Sequence, residues 1–400
     1  MSIAHQSLQD RIRGLLYGIA YGDALGATVE KLSASQIRER FGRVTSINTE
    51  WHRAKDDEAG RKGRIRGGGI VTDDTFMVLS LMSVYNEVGR HLDAWDMADA
   101  MVRQIAWVPR WIPELQRETV LIERLFYPEK WIYLRHQLAS CDPRQGGIGN
   151  MVNCGAAMYI APIGAINAGD PKGAYDEAIA FASGHQESYG LEAAGVLASA
   201  VAAAFVPGVA IEAVVEAALG VAKDGTRAAI DAIADAAVRL RGKDYETVVT
   251  EFHRIIGRFS PIGDDVEHTA RKAGIASDAY RPSRRLSIEE LPLALGFIMT
   301  NYGDFHQAIE DGINSGRDTD SIGVMIGAVL GAMHGNTVIE ERICRQLDEV
   351  NRLDLLFAAD CFGQTVKAVH EADRAFAEKK FKVRADLARR TGSPEAFGTE

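Results

Sequence analysis

Apolar residues in this chain recur every three to four positions, the spacing of helices, and no useful stretch alternates with the period of a strand. The first such pattern predicts an amphipathic helix over residues 9–27, with glycines at 14, 18, 22 and 26. Glycines four apart fall on one helix face, which favours close packing against another helix. A phosphate-binding role is the alternative, but it lacks the preceding strand that nucleotide-binding glycine motifs require. Asp23, in the same helix, reads as structural. Further helices are predicted from Thr72 to about Gly89, over 94–108, through the alanine-rich 181–206, and over 211–222, 227–241 and 244–257. Later come 289–300, a helix that includes 308–314, the apolar run 322–333, and a continuation after Gly335. Between them, 31–70 is polar and broken, 108–144 is rich in Trp and Pro, and 259–265 and 278–287 read as breaks. The predicted class is all-α.

The chain has 400 residues, a formal charge of −10 and 25% charged residues, an ordinary acidic balance. A phosphate-binding surface needs a basic excess, so no nucleic-acid partner is expected. Cys141, Cys154, Cys344 and Cys361 show no CxxC spacing, so neither a zinc site nor a disulfide framework is predicted. The first residues lack the basic start and unbroken apolar core of a secretory leader. The apolar region 191–222 carries Glu192, Pro207, Glu212 and Glu216. The run 322–333 is shorter than the roughly 20 residues a membrane span needs. A reduced, cytoplasmic protein with no membrane contact is expected.

Two stretches carry chemistry. In Ser315-Gly-Arg-Asp-Thr-Asp-Ser-Ile-Gly323, Asp318 and Asp320 stand two apart beside the hydroxyls of Thr319 and Ser321, and an apolar run follows at once. In Thr72-Asp-Asp-Thr75, two more acids and two hydroxyls precede a second apolar run. Each alone reads as a capped start of a buried helix, because Asp, Ser and Thr oxygens accept free backbone N–H groups there. Capping needs one acid, however, and neighbouring carboxylates repel unless something positive neutralises them. Brought together, the two helix starts would offer oxygen donors of the kind Mg²⁺ or Mn²⁺ prefers. The acid pairs Asp56-Asp57 and Asp264-Asp265 show that such pairs do not choose the site by themselves. The two motifs lie about 245 residues apart, so sharing one site argues for a single domain over 1–370, with a charged C-terminal helix and tail over 371–400.

The motifs GDALGATVE (22–30), TDDT (72–75) and GRDTDSIG (316–323), in this order, resemble the signature of the ADP-ribosylglycohydrolase family. The resemblance runs from about Arg11 to Gly335. It implies a compact, single-domain orthogonal helical bundle with a dinuclear metal cleft. It also implies that Thr72, Asp73, Asp74, Asp318, Asp320 and Ser321 hold two divalent ions, Mg²⁺ or Mn²⁺. Ser321 stands where the family often has Thr, and keeps the hydroxyl.

For the substrate, the resemblance implies Gly149, Asn150, Asn153 and Gly155 of the glycine-rich loop, His185 near the bound ribose, and Gly316 and Arg317. On residues alone, His185 reads as a cap or surface group and Glu30 as a surface glutamate; the family carries an acid at the place of Glu30. Two departures concern the substrate. Asn153, Cys154 and Gly155 stand where Gly-Asn-Gly is usual, and Tyr159 stands where Arg is common. Arg317 stands where Gly is frequent, placing a side chain at the rim. Cys154 reads as a small buried filler rather than a nucleophile, because no basic residue is tied to it by sequence. The basic, glycine-rich stretch GRKGRIRGGG (60–69) reads either as a loop feeding Thr72 or as a diphosphate cradle.

The implied reaction is hydrolysis of the glycosidic bond at C1 of a ribose, most directly release of ADP-ribose from a protein or small-molecule acceptor. Glu30 would steer substrate or handle a proton, and Asp74 would position the attacking water. Two alternatives stay open: a hydrolase of small N- or O-ribosides or nucleotides, and a non-catalytic ADP-ribose-binding module.

Overall fold

The computed structural model of the chain describes residues 7–260 and 284–390. Asp264-Asp265 and most of the two predicted breaks around it lie outside the described residues. Among the described residues, helices of eight residues or more are α1 (Leu8–Gly26), α2 (Ala34–Phe41), α3 (Asp73–Val88), α4 (Pro171–Ala182), α5 (Ser188–Ala204), α6 (Ile211–Val221), α7 (Asp224–Leu240), α8 (Tyr245–Ile256), α9 (Glu290–Thr300), α10 (Phe305–Asn314), α11 (Thr319–His334), α12 (Glu341–Asn351) and α13 (Leu355–Arg390). The fold is all-α. Among the described residues, paired strands of any length are confined to one antiparallel hairpin, β1 (Pro109–Ile112) and β2 (Arg117–Val120). Four-residue strands are too short to show alternation, which is why the sequence pattern does not reveal them.

The centre of the fold is the contact between α1 and α11. A Cβ at Gly14 would strike the carbonyl of Gly331, one at Gly18 that of Gly327, one at Gly22 that of Gly323, and one at Gly26 that of Thr319. The predicted glycine stripe of α1 therefore meets a second stripe, and the two helices run antiparallel with backbone against backbone. Each helical glycine costs about 1 kcal/mol of propensity relative to alanine, so the packing has to return more than that. The pairing sets the C-terminal end of α1 beside the first turn of α11. It thereby joins two segments almost 300 residues apart. α11 is buried through nearly all its length and also contacts α5, α9 and α10.

Local rules explain several helix boundaries. Ser7 and Asp10 form a reciprocal capping box for α1, and Ser33 and Gln36 form one for α2. The helix expected over 181–206 is two helices. Asp170 caps α4 with Pro171 in its first turn, and the chain breaks at 183–187 before α5. His185 sits in that break. α13 crosses 370 without interruption: Phe362, Val366 and Val369 are buried, while 371–389 are almost wholly exposed.

His91 ties α13 to the body, with Nδ1 2.5 Å from Glu177 of α4 and Nε2 3.0 Å from Asp373 of α13. The hydrogen bond to Glu177, with its charge and that of Asp373, raises the imidazole to about 9. A raised histidine stabilises fully below its unfolded value of about 6.5, and that stability is lost as pH rises through the folded value. The melting-temperature gap between wild type and His91→Gln is thus expected to be full near pH 6 and to close by about pH 9.5.

The glycine contact gives a matched pair. Gly22→Ala is expected to lower the unfolding free energy by about 3 kcal/mol, because backbone cannot yield to a methyl group. Gly220→Ala, in α6 with open space around it, is expected to raise it by about 0.5–1 kcal/mol. Denaturant titration of both variants checks the pair, and a neutral Gly22→Ala would contradict the contact.

Candidate functional site

The first turns of α3 and α11 come together at the end of α1. Asp23 of α1, fully buried, accepts hydrogen bonds from the Thr72 amide (2.9 Å), the Thr75 amide (3.1 Å) and the Thr75 hydroxyl (2.5 Å). It thus fixes the start of α3 from outside. The Thr72 hydroxyl caps α3 by accepting from the Asp74 amide at 3.3 Å. With those amides satisfied, Asp73 and Asp74 are not needed as caps. Asp318 occupies the N-cap position of α11 and makes no capping hydrogen bond. Asp320 Oδ1 accepts from the Ser321 amide at 3.3 Å, so one of the four acids serves a helix-start amide, and capping does not account for Asp73, Asp74 and Asp318.

The acids meet one another instead. Ser321 Oγ donates to Asp74 Oδ2 at 3.0 Å, joining α11 to α3. Carboxylate oxygens of Glu30, Asp318 and Asp320 lie within 4.8 Å of one another. Cys154 Sγ lies 3.2 Å from Asp318 Oδ2 and 3.6 Å from Ser321 Oγ, bringing the glycine-rich loop to the same point. Asp73, Asp74 and Asp320 are buried, and Asp318 half-buried. Burial raises Asp74 well above the ordinary range, with Asp23, Asp73 and Asp318 adding repulsion. Burial likewise raises Asp320, with Glu30, Asp318 and Asp74 adding to it. A dication among these oxygens would relieve that repulsion, so the donor set fits hard divalent ions.

Two arginines hold the margin of the cluster. Arg66 pairs with Glu30, with Glu114 at 2.7 Å, and lies 3.7 Å from Asp320. Arg124 pairs with Glu114 and lies 2.5 Å from Asp73 Oδ1. Glu114, in the turn between β1 and β2, is only 1% exposed and links the two guanidinium groups. For Glu30, burial would raise the carboxyl, and the charges of Arg66 and Lys31 outweigh it and hold the group below the usual range. Glu30 is therefore a charged acceptor.

The residues expected to contact substrate are placed variously. Asn153 Oδ1 accepts from Gln186 Nε2 at 2.6 Å and from the Gly155 amide at 3.0 Å, and a Cβ at Gly155 would strike Glu129. Asn150 donates its amide to the carbonyls of Pro128 and His185, each at 2.9 Å, and so holds the loop. Gly149 is exposed, its N–H on Glu187 at 2.9 Å. His185 is fully buried rather than a surface group, stacked on Tyr159, whose hydroxyl is 3.0 Å from Nδ1. Burial lowers His185 to about 3, so the ring is neutral. Gly316 has φ 84° and packs against the backbone of Leu32 and Ala34.

Arg317 is 6% exposed, not at the rim. Its φ of 72° is the left-handed conformation that glycine adopts at least cost. The side chain turns inward, 3.7 Å from Glu289. Arg66, from the basic glycine-rich stretch, is likewise inside and engaged by carboxylates, which removes it from a diphosphate cradle.

Four further acids escape the sequence reading. Glu114 and Glu129 come from the Trp- and Pro-rich region, where no motif marks them. Glu129 is pushed up to about 8 by burial and by Asp73. Glu289-Glu290 opens α9 ahead of an apolar run, the same signal as the two acid motifs, and could have been found by it. Burial and Asp318 push Glu290 up to about 8.

Known proteins share this framework. A protein of Escherichia coli K12, YegU, itself uncharacterized, is 26% identical over 357 residues, covering 86% of this chain and 94% of its own. An uncharacterized protein of Archaeoglobus fulgidus is 24% identical over 325 residues, covering 81% and 88%. A solved structure, described as an ADP-ribosylglycohydrolase-related protein complex, superposes with a TM-score of 0.55 at 21% identity, over 90% of this chain and 98% of its own. The profile of the ADP-ribosylglycohydrolase family matches residues 4–375, spanning both acid motifs and the loop between them, so this chain belongs to that family.

Proposed function

We propose that the cleft between α3 and α11 binds two divalent ions, Mg²⁺ or Mn²⁺, and hydrolyses the glycosidic bond at C1 of a ribose, releasing ADP-ribose from an acceptor. The observation that carries this reading is the convergence of Asp74, Asp318, Asp320 and Ser321, of which Asp318, at the N-cap position of α11, makes no capping hydrogen bond. Thr72, Asp73 through the oxygen not engaged by Arg124, Asp74, Asp318, Asp320 and Ser321 would hold the ions. Bound ions would orient ribose hydroxyls and lower the cost of generating a nucleophile from water.

The chain supplies the rest. Asp74, fixed by Ser321, would position the attacking water and accept its proton. Glu30, fixed by Arg66 and Lys31, would accept a hydrogen bond from a ribose hydroxyl rather than donate a proton. The acceptor would be a protein side chain or a small molecule, in a reduced, cytoplasmic setting.

One observation favours a second reading, hydrolysis of a smaller riboside or nucleotide. Tyr159 stands where the family commonly has Arg, and its hydroxyl is committed to His185 inside the protein. The guanidinium that would fork onto a phosphate or carboxylate is missing there.

Asp320→Asn separates fold from function. Its turnover of an ADP-ribosylated substrate, or of a small riboside, is expected to fall on the order of 100-fold or more. In metal-free protein the variant should melt higher than wild type, since one repelling charge is gone. With metal present the order should reverse. Unchanged turnover in Asp320→Asn would sink the metal reading.

A further inference from the structure

The acids near Asp318 fall into two groups, and only one has the all-oxygen character just described. Glu30, Asp318 and Asp320 form the first. Cys154, Glu290 and Asp318 form the second, with Sγ and carboxylate oxygens also within 4.8 Å of one another. Asp318 belongs to both and so bridges them. Glu290 is 7% exposed, and its Oε2 is buried with no hydrogen-bond partner. An orphaned carboxylate oxygen in such a place is costly, and a proton or a bound cation relieves it.

We propose that Cys154, Glu290 and Asp318, with the Ser321 hydroxyl, form a sulfur-bearing cation position that takes a borderline dication of the Zn²⁺ class. The proposal deepens the reading above and rests on it, since Asp318 and Ser321 are common to both. A tetrahedral ion with bonds of about 2.3 Å to sulfur and about 2.1 Å to oxygen sets its sulfur and oxygen ligands about 3.6 Å apart. Cys154 Sγ is 3.2 Å from Asp318 and 3.6 Å from Ser321, so little movement is needed. Carboxylates and hydroxyls alone suit Mg²⁺ or Mn²⁺, and a thiolate moves the preference toward Zn²⁺.

Binding is balanced by the protons that the Cys154 thiol and the Glu290 carboxyl release. The Cys154 thiol, which now lies against Asp318, loses its hydrogen to solvent as the sulfur–metal bond forms. The three ligands come from the loop before α4, the start of α9 and the start of α11, so no local CxxC spacing announces them. One half of the centre is then hard and the other soft.

Co²⁺ tests this directly, because a cobalt–thiolate bond gives a near-ultraviolet charge-transfer band independent of any turnover. Chelator-stripped wild type titrated with Co²⁺ is expected to show both that band and visible d–d bands. Cys154→Ser should lose the charge-transfer band and keep the d–d bands, and Glu290→Gln should weaken Zn²⁺ affinity tenfold or more. Wild type with d–d bands alone would overturn the thiolate position and leave the oxygen-bound centre standing. A charge-transfer band that survives in Cys154→Ser would overturn it too, assigning the sulfur elsewhere. No cobalt bands at all would bring down the metal reading itself, and this proposal with it.

Discussion

Backbone laid against backbone between α1 and α11 is the constraint on which the rest depends. Side chains cannot pass at Gly14, Gly18, Gly22 and Gly26, or at Gly323, Gly327 and Gly331, so register and orientation of the two helices are set together. With the helices antiparallel, the turn carrying Glu30 falls beside the turn carrying Asp318 and Asp320. Asp23, one residue beyond Gly22, then reaches across to fix α3 through Thr72 and Thr75. A packing rule thus becomes a placement rule: the glycines position the acids.

The second constraint is electrostatic. Carboxylates buried this closely repel, and the fold answers only in part. Arg66 and Arg124, joined through Glu114, neutralise Glu30 and Asp73 at the edge of the cluster. Asp74 and Asp318 keep hydroxyl, thiol and carboxylate neighbours instead, and Asp320 has Arg66 no nearer than 3.7 Å. The arginines therefore shape the field without filling it, and the remaining negative charge is what a cation would meet.

How far the sequence reaches follows from the range of each signal. Periodicity finds α1, α3 and α11, and the stripe on α1 predicts a close helix partner. The matching stripe at 323, 327 and 331 lies in an apolar run whose small residues mask its spacing. Arg66 reads as part of a mobile, basic loop, because nothing local shows that Glu30 and Glu114 draw it inside. Arg124 and Glu114 depend on a hairpin of four-residue strands, below the length at which alternation is visible. Glu289-Glu290 repeats the acid-before-helix pattern and was legible, whereas the inward turn of Arg317 required its backbone conformation. Local order can be read from the chain. Which distant charges share one cavity cannot.

The central claim is that this cleft recognises an ADP-ribosyl group through bound dications. Calorimetric titration of ADP-ribose into metal-free protein, and into protein loaded with Mg²⁺ or Mn²⁺, tests it most directly. The account predicts binding heat only in the loaded protein. Metal binding without ADP-ribose heat would contradict the ADP-ribosyl substrate and favour smaller ribosides. Absence of heat from metal and ligand alike would contradict the centre itself.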